Sequence, residues 1–181
     1  MTFRTFKQIY DQRELEVASA VLTGFVIHKA EATSTKVGFR WKPTKKAPST
    51  YEDLKLAFKN SEETGEPLPV SSENSSSVIY TTKAANFAMR FWHDVSHVRL
   101  GLTFDVVDEL ELGLWHLEHI KHAGFNESST VYRLFHADLV GQSQLMAYAG
   151  RFPIDQRRFV TESARCGVDT AVLDEARRNA G

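Results

Sequence analysis

A single cysteine, Cys166, stands among 181 residues, which excludes a disulfide framework within the chain and a cysteine-rich metal knuckle. A lone thiol near the C-terminus is expected to be a small buried apolar group rather than a nucleophile. Apolar residues make up 42% of the chain, yet they never run unbroken for the roughly eighteen positions that a membrane-crossing helix needs. The N-terminus carries no signal-peptide pattern. Charge of one sign is missing as well: 22 lysines and arginines face 23 aspartates and glutamates, so the balance exerts no overall pull toward nucleic acid or an anionic membrane. There is no phosphate-binding glycine loop, no G-x-S-x-G elbow, no zinc-finger spacing and no internal repeat. These absences predict a soluble, cytoplasmic protein with no transmembrane segment. A small molecule, a protein or a second copy of the chain is a better partner for it than nucleic acid.

What is present reads as one domain over 1–181, mainly α (α+β), with a helical core of about five to six helices and a small N-terminal β-hairpin. A mixed N-terminal part (1–59) and a helical core (78–181) are separated by a flexible stretch at 60–77, rich in glutamate and serine. Phe6, Ile9, Tyr10, Leu15, Val17, Val21 and Leu22 recur at helical spacing over 5–22, and Gly24 is expected to end that helix. Runs at 25–28 and 36–41, with β-branched and aromatic residues, predict the hairpin. Ser49 and Glu52 form a capping box for a helix through Phe58, and 78–80 reads as a brief strand. Further helices follow at about 82–100, 104–122, 130–149, 154–165 and 168–178.

The chemistry concentrates at 93–109, H-D-V-S-H-V-R-L-G-L-T-F-D-V-V-D-E. His93 and His97, four apart on a helix, project from one face one turn from each other. Gly101 and Thr103 break and restart the helix, which predicts an antiparallel partner that returns Glu109 to the height of the histidines. Two imidazoles and a carboxylate suffice to hold zinc, or alternatively iron, and leave positions open for water or substrate. Asp94 is expected to complete the shell or to orient a ligand histidine, and His116 or His136 to carry protons for a metal-bound water. A helical wheel sets the competing view: Ala84, Phe87, Ala88, Phe91, Val95 and Val98 form the apolar stripe, with the two histidines nearly opposite. On the following helix the stripe reads as Val106, Leu110, Gly113, Leu114 and Leu117.

A second class of function rests on 39–46. Phe39, Arg40 and Trp41 precede Lys42, Lys45 and Lys46, which lie around Pro43 and Pro48 in what reads as a loop. A non-catalytic binding or regulatory protein would use this basic aromatic loop to contact a protein or nucleic-acid partner.

H-D-x-x-H followed by eleven residues and Glu resembles the zinc-site signature of the coenzyme Q biosynthesis protein four family, which His93, Asp94, His97 and Glu109 match position for position. Gly101 falls where that family has a glycine, and the resemblance covers about 25 residues. It implies a mainly helical fold, a metal between the H-D helix and an adjacent Glu helix, and work on a prenylated aromatic precursor. A metallopeptidase H-E-x-x-H site fits less well, because Asp94 is shorter than the glutamate that serves as base. A His-Asp phosphohydrolase would have to recruit residues such as His28 and Asp138.

Overall fold

The computed structural model describes residues 12–75 and 78–178, so the expected start of the first helix at 5–11 lies outside the described residues. From Gln12 the chain forms α1 (Gln12–Val37), 26 residues long. This corrects the hairpin: Gly24 and 25–28 lie inside the helix. Leu15, Ala18, Leu22, Val26 and Ala30 recur every three or four residues and are all buried, and that burial outweighs the roughly 1 kcal/mol that a mid-helix glycine costs. Phe25 belongs to the same packing, meeting Trp92 and Phe135 edge-on at 5.8 and 5.9 Å.

The β part is a parallel pair, β1 (Trp41–Thr44) and β2 (Leu68–Ser71), with Trp41 opposite Leu68 and Thr44 opposite Ser71. Parallel strands need a crossover, and α2 (Tyr51–Thr64) supplies it. Its N-cap is Thr50, one residue later than expected, with Oγ1 accepting from the Asp53 amide at 3.1 Å. The expected flexible stretch is therefore largely ordered: α2 runs to Thr64, and Leu68 and Val70 alternate inward to full burial. Pro43 and Pro69 are accommodated because a two-stranded sheet consists only of edges. Residues 78–80 form no strand; Val78, Ile79 and Tyr80 are buried in irregular backbone.

The helical remainder follows the expected spacing more closely. Elements α3 (Lys83–Leu100) and α4 (Val106–His122) are followed by a continuous rod of α5 (Thr130–His136), a π-helical turn (Ala137–Gly141) and α6 (Gln142–Ala149). The chain closes with α7 (Gln156–Cys166) and α8 (Val168–Arg177). Helix α3 lies at the centre, packed against α1, α2, α4 and both strands. Leu22, Phe91, Phe135 and Phe159 are among the fully buried side chains of the core. The fold is mainly α with a minor two-stranded β part, and no helix among the described residues is long and apolar enough to cross a membrane.

Candidate metal centre

The central position of α3 decides what its histidines meet. Because neighbours cover nearly its whole circumference, the face opposite the apolar stripe is not a wet surface: His97 is 0% exposed, and the His93 side chain 21%. Thr82 starts the helix, its side chain accepting from the Ala85 amide at 3.2 Å. Gly101 ends it at φ 71, and its N–H reaches the His97 carbonyl. Left-handed backbone of this kind favours glycine. The reversal is then pinned by Asp108, whose Oδ2 accepts from both the amide and the hydroxyl of Thr103 at 2.7 Å. Helix α4 starts at once, and its first turn carries Glu109.

Three donors converge as a result. His97 Nε2 lies 3.0 Å from His93 Nε2, His93 Nε2 lies 3.2 Å from Glu109 Oε2, and His97 Nε2 lies 3.4 Å from Glu109 Oε1. The two Glu109 contacts fall on different carboxylate oxygens, and one ligand atom from each of the three residues lies within 4.8 Å of the others, so these side chains could hold a single divalent cation. The donor set suits zinc or iron. His97 Nδ1 lies 3.0 Å from the Leu102 carbonyl; a carbonyl only accepts, so Nδ1 carries the proton and Nε2 presents its lone pair to the centre. His93 Nδ1 faces His116 Nε2 at 3.2 Å. His116 is wholly buried, its other ring nitrogen has no hydrogen-bond partner among the described residues, and Trp92 packs edge-on against it at 4.1 Å.

The electrostatics favour ionised Glu109. Burial works against its charge, but hydrogen bonds and charge from His93 and His97 outweigh it and drive its pKa far below the usual carboxylate range. Burial also opposes a proton on His93, yet Glu109 above all, with Asp94 and Asp138, raises its pKa. His116 goes the other way: burial, then the charge of His93, pushes its pKa well down, which favours the neutral ring beside His93.

No protein-family model, no curated protein and no solved structure matches this chain.

The other expected residues divide. Asp94 lies outside the three-donor group and makes no hydrogen bond among the described residues, so the Leu102 carbonyl and His116, not Asp94, face the second nitrogens of the two histidines. Burial pushes the Asp94 carboxyl up to about 6 against the opposing charges of His93, His97 and Arg90. His136 is removed from the centre: it stacks on Tyr132 at 6.0 Å and lines a separate cavity with Glu127, Arg165 and Cys166. Cys166 is exposed there rather than buried, because it falls at the end of α7.

In the basic aromatic segment, Arg40 pairs with Glu31 at 2.6 Å and Trp41 stacks on Phe91 at 4.8 Å, so both are engaged within the chain. Lys42 belongs to β1, and only Lys45 and Lys46 occupy the turn after it; all three are exposed.

Pattern reading missed Leu102, which acts through backbone, and Asp108, for which Thr103 ahead of an acid was the available signal. It also missed Tyr80, whose hydroxyl donates to buried Asp138 at 2.8 Å, where Gln142 and Gln156 donate as well.

Proposed function

We propose that this chain is a metal-dependent enzyme holding one divalent ion, zinc or iron, through His93, His97 and Glu109. The observation that carries the reading is the 3.0 Å approach of two imidazole Nε2 atoms, each also within 3.4 Å of one carboxylate. Imidazole nitrogens at that separation repel unless a proton or a cation lies between them. The Leu102 carbonyl and His116 leave both Nε2 atoms free to face inward. When bound, the ion would supply Lewis acidity and an activated water.

The chain's own groups have distinct tasks. Glu109 offsets the ion's charge, His97 is locked in one tautomer, and His116 accepts from His93 Nδ1 and so fixes its ring. Asp94, with a carboxyl pKa near 6, is the neighbouring acid suited to exchange protons with solvent or substrate near neutrality. The resemblance of the motif to the coenzyme Q biosynthesis protein four family makes a small aromatic compound the first substrate class to try.

Metal analysis of protein purified without a histidine tag tests the reading. It requires about one zinc or iron per chain, lost in His97→Ala while the helical circular dichroism is retained. A folded wild-type chain that neither carries nor takes up either metal would end it.

A further inference from the structure

A cleft between α1, α3 and α4 is lined in part by Trp92 and shares no side chain with the three-donor cluster. We propose that it binds a phosphate monoester carrying a flat ring, the phosphate held by Lys36 and Arg99 and the ring laid against Trp115. Its volume is about 360 Å³, within the range of roughly 300–1,000 Å³ usual for small-molecule sites.

The lining is cationic and aromatic together: Lys29, Lys36, Arg99 and His119 with Trp92 and Trp115, and no aspartate or glutamate. Elsewhere cations sit beside acids, as in Arg40 with Glu31, Lys121 with Glu118 and Arg158 with Glu175. Lys29, Lys36 and Arg99 form no ion pair among the described residues. Positions in the last turns of α1 and α3 account for Lys36 and Arg99 singly, since cations are stabilised at helix C-termini. They do not account for Lys29, two turns earlier on α1, half-buried and held 5.9 Å from the Trp92 ring and 5.5 Å from Phe25. Burial, and after it the charge of Lys36, lowers the Lys29 pKa.

Three basic side chains facing one cleft suit a dianion better than a carboxylate's single charge. The half-buried Trp115, 4.0 Å from the His119 ring, offers a flat face beside them.

The test uses the full chain and phenyl phosphate, followed by calorimetry and tryptophan fluorescence, with inorganic phosphate, benzoate and phenol as comparison probes. The expected result is saturable binding of phenyl phosphate with quenching, and at least tenfold weaker binding of each comparison probe. Arg99→Glu and Lys36→Glu, both at exposed positions, are each expected to weaken phenyl phosphate at least tenfold with circular dichroism unchanged. Absence of saturable binding, affinity indifferent to both charge reversals, or a comparison probe binding as well as phenyl phosphate overturns the proposal. Metal content is scored separately and bears only on the His93, His97 and Glu109 reading.

Discussion

His116 shows how a side chain that never faces the three-donor centre can govern it. It is fully buried, its Nε2 is 3.2 Å from His93 Nδ1, and Trp92 fixes its ring from the side. His116→Phe keeps the ring and the packing but removes the acceptor, leaving the His93 ring free to turn. Partners of this kind are worth about 10–100-fold in metal affinity, so a competition titration with a chelator is expected to show a loss of that size, with the urea midpoint little changed; unaltered affinity would deny His116 the positioning role. Asp94 gives a pH signature. Its carboxyl is raised from 3.8 to about 6, so between those values the folded chain keeps a proton that the unfolded chain has released. Stability therefore falls as pH rises through that window and levels off above it. Asp94→Asn removes the contribution, so in chelator-treated protein the variant is expected to gain on wild type between about pH 4 and pH 6, by at most about 3 kcal/mol. Urea denaturation at both ends of the window measures it, and a constant difference between the two proteins would refute the assignment.

The turn between α3 and α4 is the element on which the centre depends. Gly101 at φ 71 reverses the chain and Leu102 follows with the carbonyl that holds His97. Gly101→Ala has open space for its methyl, so its cost is the left-handed backbone alone, roughly 1–2 kcal/mol. Relief of that strain would displace Leu102, and metal affinity is expected to fall together with the thermal midpoint. A stability loss with full affinity would show that the turn is not what sets His97. This turn was legible in the sequence because threonine, glycine and the i, i+4 histidines act locally, and local signals survive folding. Segment 25–28 was not legible, because β-branched and aromatic residues after a glycine look like strand, and only packing against Trp92 and Phe135, far along the chain, keeps them helical. Helix α4 was misread for a related reason. Its expected stripe placed Gly113 and Leu117 inward as found, but it included Val106 and Leu114, both exposed, and left out Leu112, His116 and Ile120, which turn inward. A histidine counts as polar in any periodicity, so His116 reads as a border position rather than as part of the buried face. The parallel strand pair escaped notice because β2 lies in a proline-containing stretch that composition alone assigns to loop.

Across the whole molecule, the His93, His97 and Glu109 cluster and the C-terminal helices are built on different supports. The centre hangs on α3 and the start of α4, whereas α7 and α8 pack on α5, the π-helical turn and α6. Glu175 ties down that second assembly: it is 0% exposed, its Oε2 receives Arg158 and Arg178 at 3.1 Å, and its Oε1 takes the Ile154 amide at 3.1 Å. Burial opposes its charge, but the Ile154 amide and these arginines prevail and hold its pKa below the ordinary value. Glu175→Gln keeps the shape and removes the charge, so the two arginines lose charge-assisted hydrogen bonds worth about 1.5–3 kcal/mol each at most, discounted here because both arginines reach solvent. Hydrogen exchange is then expected to rise across 154–178 and to stay near wild type in α3 and α4. Metal uptake by His93, His97 and Glu109 should be unchanged, because no residue of α7 or α8 belongs to that cluster. A uniform rise in exchange through all helices would mean that the molecule opens as one cooperative unit, and the centre's affinity would then have to fall with the C-terminal pair.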